Sequence, residues 1–122
     1  MAAPAVVHSP RYFADIGLHI FPMRKFDLVR KEIVRRGLLA DAEILEPLPA
    51  TEEQVLRVHD RAYVQKLLHG RLSVLEEAVL ELPYSKQLVQ ASFLCAGGSI
   101  LAARESLQRG VGINLAGGFH HA

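Results

Sequence analysis

In the stretch Val111-Gly112-Ile113-Asn114-Leu115-Ala116-Gly117-Gly118-Phe119-His120-His121-Ala122, an apolar run of strand type leads through two glycines to a pair of adjacent histidines. The run Val111 to Leu115 is entered directly from a long helical pattern, and Ala116-Gly117-Gly118 lets the backbone turn tightly as it leaves. Two neighbouring imidazoles are therefore expected at the carboxyl edge of a sheet, where α/β proteins build their sites. Close to one water they can act as a base and a positive neighbour, each tuning the other's proton affinity. The competing readings are the remnant of a purification tag and a chance polar pair at a chain end. A tag carries about six consecutive histidines and is not preceded by a run of buried-strand type.

Working outward, Leu88, Val89, Phe93, Leu94, Ile100, Leu101 and Leu107 describe one long helix from Ser85 to Arg109, stopped by Gly110. Gly97-Gly98 in its middle costs about 1 kcal/mol per glycine relative to alanine, so the close approach of another backbone is the expected compensation. Ala5 to His8 reads as a short buried strand halted by Ser9-Pro10, and Arg11 to Phe21 as loop. Phe26, Val29, Ile33 and Val34 recur at helical spacing with Arg30, Lys31 and Arg35 opposite, and Gly37 supplies the stop. Ala42 to Leu45 reads as a further strand, closed by Pro47 and Pro49. Thr51 and Gln54 have the spacing of a capping box, opening a short helix with Val55, Leu56 and Val58. Asp60 caps the next, through Tyr63, Val64, Leu67 and Leu68 to Gly70, and another runs from Leu72 to Leu82 before Pro83.

Helix and strand thus alternate, which argues for an α/β layered fold with a mostly parallel sheet. Only three strands are found, and a parallel sheet usually has more, with both faces covered. Residues 1–122 are accordingly expected to be the opening portion of one larger domain.

Composition narrows the classes. Half of the 122 residues are hydrophobic and 22% are charged, with 14 Lys and Arg against 13 Asp and Glu, as in an ordinary globular domain. Such a chain buries roughly two-thirds of its unfolded surface and forms one core without staples. The single Cys95 excludes an internal disulfide framework and a CxxC metal site, and makes a cytoplasmic, reducing compartment the default expectation. No uncharged, largely apolar stretch reaches the ~20 residues of a membrane span, and the N-terminus does not read as a secretory signal. Arg24 to Arg36 holds six basic residues and two acids, whereas Asp41 to Asp60 holds six acids and one Arg. No aromatic stacking platform accompanies the basic run, so solvated helix faces are expected rather than a nucleic-acid interface.

The stretch NLAGGFHHA, Asn114 to Ala122, closely resembles the tandem-histidine motif of the zinc-dependent histone deacetylase superfamily. That superfamily also contains bacterial acetylpolyamine amidohydrolases and acetoin-utilisation-type proteins. Other segments resemble it in the same order: His8-Ser9-Pro10-Arg11-Tyr12, Phe21-Pro22-Met23-Arg24-Lys25, Val58-His59-Asp60 through Ala62-Tyr63-Val64, Leu82-Pro83-Tyr84-Ser85, and Ala96-Gly97-Gly98-Ser99. The Gly-Gly-aromatic-His-His form and the Ser-Pro-Arg-Tyr opening look most like the bacterial proteins and the class IV deacetylases.

The resemblance implies the N-terminal part of an arginase/deacetylase-type three-layer α/β fold, with one zinc ion at the carboxyl ends of the strands. In the family an Asp-x-His pair and a second Asp bind the metal, and a later Tyr stabilises the oxyanion. Carried over, His120 matches the first histidine, an electrostatic and hydrogen-bonding partner, and His121 the second, general base and then general acid. Zinc would polarise an acetyl-amide carbonyl and the attacking water. The sequence reaches Ala122 before any Asp-x-His, second Asp or oxyanion Tyr, so the expected metal ligands lie beyond Ala122 and none is expected within it. His8, His19, His59 and His69 do not replace them, lacking close ligand spacing such as HxxxH. Arg24 and Lys25 fall where relatives often have a basic residue near an internal product channel, and Glu81 near a loop where some carry a substrate-gripping acid. The bland readings are a solvated helix face and a loop residue. Tyr12 and Phe119 could flank the same interior region or simply be core.

The implied function is the N-terminal segment of a zinc-dependent amidohydrolase acting on acetyl-lysine, acetylpolyamines or related acetyl amides. The segment alone is expected to be inactive and, with unpaired strand edges, to self-associate. The rival reading is a non-catalytic fragment or protein-interaction module that keeps the amphipathic helices as a partner surface. An arginase-like ureohydrolase is disfavoured by the tandem histidine.

Overall fold

A computed structural model describes residues 2–118 of the chain. Strand β1, Ala5–Val7, and strand β2, Gly112–Asn114, pair in parallel with Ala5 opposite Gly112, Val6 opposite Ile113 and Val7 opposite Asn114. Leu45 joins the other edge of β1 through a single parallel bridge at Val7, donating its N–H to the Val6 carbonyl at 2.8 Å and accepting from the His8 N–H at 2.9 Å. β1 is therefore central, and all three of its residues are buried. The sheet and the helices that interleave with it make an α/β arrangement, the class the alternating pattern implies.

The segment expected to be a strand at Ala42 to Leu45 contracts to that one bridge. Glu43 bends it, because its carboxylate accepts the Ala40 N–H at 2.7 Å and residues Asp41–Glu43 wind into a 3-10 turn. Pro47, which has no N–H to offer a ladder, follows at once. The expected loop after β1 also holds local structure: Pro10–Tyr12 form a 3-10 turn, with the Ser9 hydroxyl accepting from the Arg11 N–H at 3.2 Å.

The helices follow their end signals. Helix α1, Lys25–Arg35, buries Phe26 and closes at Gly37, which takes the left-handed conformation while the Leu38 N–H reaches back to the Ile33 carbonyl at 3.1 Å. Helix α2, Glu52–Val55, opens with the expected Thr51/Gln54 capping box, its two bonds 2.9 and 3.2 Å. Helix α3, Arg61–His69, is capped by Asp60 and ended by a left-handed Gly70. Helix α4, Val74–Leu80, starts later than the apolar pattern suggested, because Ser73 and Glu76 form a second capping box. Its last cap is Glu81, the one non-glycine residue with positive φ among those described.

Helix α5, Lys86–Arg109, spans 24 residues, about 36 Å at 1.5 Å per residue. It lies across both strands and touches α3. Its glycine pair is explained by what lies opposite. A Cβ on Gly97 would run into the Leu48 carbonyl oxygen and come within 2.9 Å of the Ala50 nitrogen, while one on Gly98 would strike the Tyr12 hydroxyl and approach the Asn114 carboxamide to 2.8 Å. Gly112 of β2 is equally closed off by the Ala102 carbonyl on α5. The core that results joins Tyr12, Phe26, Leu82, Leu88, Leu94 and Ala116.

His8 sits at the end of β1 with 4% of its surface exposed, its ring edge-on to Tyr12 at 5.5 Å. Neither ring nitrogen has a hydrogen-bond partner among the described residues. Burial, followed by the Arg30 cation, lowers its pKa from 6.5, with Asp27, Asp41 and Glu46 opposing in part. The unfolded chain titrates this group near about 6.5, so the stability linked to a neutral His8 is complete above that pH and is lost as the pH falls below it toward the lowered folded value.

Two outcomes are expected. Helix propensity alone would make Gly97→Ala about 1 kcal/mol more stable, whereas the contact with the Leu48–Ala50 backbone makes it less stable by about 1–3 kcal/mol. Urea denaturation separates the two, and a stabilised variant would remove the close-approach explanation. Below about pH 6.5 the wild type should lose stability by up to about 1.4 kcal/mol per pH unit from this one group, a component absent from His8→Phe. Urea midpoints across that range check it, and parallel pH dependences for the two proteins would refute it.

Candidate functional site

Because β1 and β2 are parallel and in register, the segments that follow them leave the sheet at the same edge. Val7 lies opposite Asn114, and the Leu115 N–H donates to the Val7 carbonyl at 3.0 Å. His8, Ser9 and the Pro10–Tyr12 turn issue from β1, while Leu115 to Gly118 issue from β2. Phe119, His120, His121 and Ala122 lie outside the described residues.

The exit from β2 is held by polar contacts. Tyr12, only 1% exposed, donates its hydroxyl to the Asn114 Oδ1 at 2.9 Å. The same oxygen accepts the Ala116 N–H at 3.3 Å, and the Asn114 Nδ2 donates to the Cys95 carbonyl at 3.0 Å and the Ser99 Oγ at 3.2 Å. Burial raises the Tyr12 pKa well above its ordinary value, with the neighbouring Cys95 and Glu46 acting in the same direction. The hydroxyl is thus a permanent donor. The buried Cys95 thiol is pushed up to about 11 by desolvation, which disfavours the nucleophilic thiolate.

Around this edge, the Ser9 hydroxyl donates to Glu46 at 2.9 Å, and Arg11 stands 3.6 Å from the same carboxylate. Gly117 and Gly118 form part of the wall of an apolar groove of about 820 Å³, whose other lining includes Leu67, Leu88, Val89 and Phe93. The groove connects the strand exit with the space between α3 and α5.

The remaining residues singled out from the sequence fall as follows. His19 ties a loop to the end of α4: its Nδ1 accepts the Phe21 N–H at 3.0 Å, so Nε2 carries the proton and donates to the Glu81 carbonyl at 2.9 Å. Glu81 therefore serves that junction through its backbone. His59 lies exposed with its ring 6.0 Å from that of Tyr63, and His69 ends α3 with its Nε2 3.2 Å from the Gln65 amide oxygen. In the basic run, Arg30, Lys31, Arg35 and Arg36 pair with Asp27, Glu32 or Asp41, and the Lys25 ammonium stands 4.2 Å from the Phe21 ring centre. Arg30 and Lys31 share Asp27, and Arg35 and Arg36 share Glu32, so the charge of the stripe is partly neutralised within its own helix. Among the described residues no group of three or more His, Cys, Asp or Glu is placed to hold a metal ion, so these residues do not furnish a zinc site. Nor is any described helix long and apolar enough to cross a membrane.

Asn114 and Ser99 carry no role of their own in the sequence motifs that contain them, whereas a close approach at Gly97-Gly98 is expected from sequence and found. A polar residue within an otherwise apolar strand, directly before Leu-Ala-Gly-Gly, was the available signal for Asn114. The partners supplied by α5, some 15 to 19 residues earlier, emerge only from the packing.

The family model of the histone deacetylase domain matches residues 19–122. An uncharacterized protein of Picosynechococcus sp. is 33% identical over 118 residues, 96% of this chain and 39% of its own length. Histone deacetylase 2 of Arabidopsis thaliana is 36% identical over 110 residues, 85% of this chain and 28% of its own. The chain thus spans well under half the length of either relative. With the domain model running from His19 through the strand exit and the tandem histidine to Ala122, the chain belongs to the histone deacetylase family.

Proposed function

We propose that residues 1–122 are the N-terminal portion of one deacetylase-like domain of the three-layer type, in a zinc-dependent enzyme that hydrolyses acetyl amides. Acetyl-lysine, acetylpolyamines and related acetylated amines are the substrate class. The observation that carries this reading is the match of the histone deacetylase domain model over residues 19–122, which takes in the tandem histidine. The parallel strands and the glycine-led exit from β2 support it, because that edge is where α/β domains gather reacting groups. A cytoplasmic setting accords with the single buried thiol.

The role assigned to this chain is proton transfer. His121 takes a proton from the attacking water as general base and returns one to the departing amine as general acid. His120 is its hydrogen-bonding partner and biases which imidazole holds the proton near pH 7. The Asp-x-His and second Asp of the family's metal site are not among the 122 residues, and the described residues do not substitute for them.

In the natural protein carrying these residues, His121→Ala should slow single-turnover deacetylation by at least the ~100-fold typical of general acid–base catalysis, with metal content unchanged. His120→Ala should shift the pH profile as well as the rate. Near-normal turnover by His121→Ala at matched metal occupancy would sink the assignment.

The 122-residue chain by itself is expected to give only background hydrolysis of acetyl-lysine peptides with added zinc, since it lacks the ligands that activate water. It should also self-associate: β2 pairs only with β1 among the described residues, and Val111 and Ile113 beside that edge are exposed, as are Val74, Leu75 and Val79 on α4. Light scattering together with a chelator-controlled assay tests both expectations. A compact monomer with a cooperative melt, or chelator-sensitive turnover, would count against the reading.

A further inference from the structure

The Asn114 carboxamide has two N–H donors and an oxygen with two acceptor sites, and all four are engaged. The orientation follows from two backbone partners: the Ala116 N–H can only donate, so it faces the oxygen, and the Cys95 carbonyl can only accept, so it faces the nitrogen. Tyr12 must then donate to Oδ1, and its raised pKa keeps the proton in place. One side chain thereby joins the turn after β1, the middle of α5 and the first residues after β2. Gly98 leaves the room in which this occurs, since any Cβ there would meet both the Tyr12 hydroxyl and the Asn114 carboxamide.

The geometry points to Asn114 and Tyr12 as positioning residues for the histidine pair, setting the direction in which the chain leaves β2. The Ala116 N–H bonded to Asn114 lies four residues before His120, with only Gly117-Gly118 and Phe119 between. Asn114 holds the Ala116 N–H, so the start of this short connection is fixed from within β2. This inference rests on the histidine-pair reading above. An error of 1 Å at a reacting group can cost ~100-fold in rate.

The test uses the natural protein carrying these residues, as Tyr12→Phe and Asn114→Asp, beside Val64→Ala. Val64, fully buried on α3, provides a packing loss away from the carboxamide. Melting temperature, kcat and KM on an acetyl-lysine peptide, and the ring ¹⁵N signals of His120 and His121 are measured for each. Tyr12→Phe should lower kcat by about 10- to 100-fold with KM changed by less than about threefold, and should move the ring signals of both histidines. Asn114→Asp keeps the acceptor for Tyr12 and Ala116 but loses the donors to α5, and should do the same. Val64→Ala should lower the melting temperature and leave kcat and the ring signals as in the wild type. Ring signals unmoved in Tyr12→Phe, or a kcat that follows only the loss of folded protein as in Val64→Ala, would overturn the proposal. If the wild type turns over no acetyl-lysine peptide, the deacetylase reading for that substrate fails, and the ring signals still decide the positioning role.

Discussion

The architecture depends on how closely α5 can approach the two parallel strands. Side-chain-free positions make that approach possible from both sides: Gly97 and Gly98 on the helix, Gly112 on β2. Any Cβ at these positions would run into the facing atoms and force the helix outward. The cost of two glycines inside a long helix is offset by the backbone of Leu48 to Ala50 on one side and by Tyr12 and Asn114 on the other. In the same contact, the Phe93 carbonyl on α5 accepts the Ala50 N–H at 2.9 Å, so the helix also satisfies a backbone group that the loop would otherwise bury unpaired.

Two polar side chains at the strand ends, the half-buried Asn114 and the buried His8, are accommodated in opposite ways. Asn114 satisfies its full hydrogen-bonding capacity within the protein, which makes it a rigid junction rather than a penalty. His8 is buried with both ring nitrogens unpartnered among the described residues, and the consequence is a preference for the neutral ring. Tyr12 touches both, through an edge-on ring contact to His8 and a hydroxyl bond to Asn114.

The surface charges play a lesser part. The acid–base segregation along the chain is resolved by local pairs: Arg35 and Arg36 on Glu32, Lys31 on Asp27, and Lys66 on Glu76 between α3 and α4. Exposed pairs of this kind are worth roughly 0–1 kcal/mol each. Arg30 does more, because it bonds Asp27 on its own helix and Asp41 in the 3-10 turn, fastening α1 to the segment that leads into the Leu45 bridge.

The helices could be read from sequence because their signals are local. A cap such as Thr51, Asp60 or Ser85 bonds an N–H three residues away, and Gly37, Gly70 and Gly110 end helices through their own backbone freedom. The strand preceding the histidine pair was legible for the same reason, as a short apolar run between a helix stop and two glycines. The Ala42 to Leu45 segment was misread because one carboxylate, Glu43, and one proline outweigh a weakly apolar run. What sequence could not supply was anything carried by long-range contact. The partner of the glycine pair, the burial of His8, and the bond from Tyr12 to Asn114, 102 positions apart, exist only once α5 lies on the sheet. Residue types and spacing therefore determined the elements and the family motif, whereas tertiary packing decided which polar groups meet at the strand ends, because hydrogen bonds of that range have no signature in local sequence.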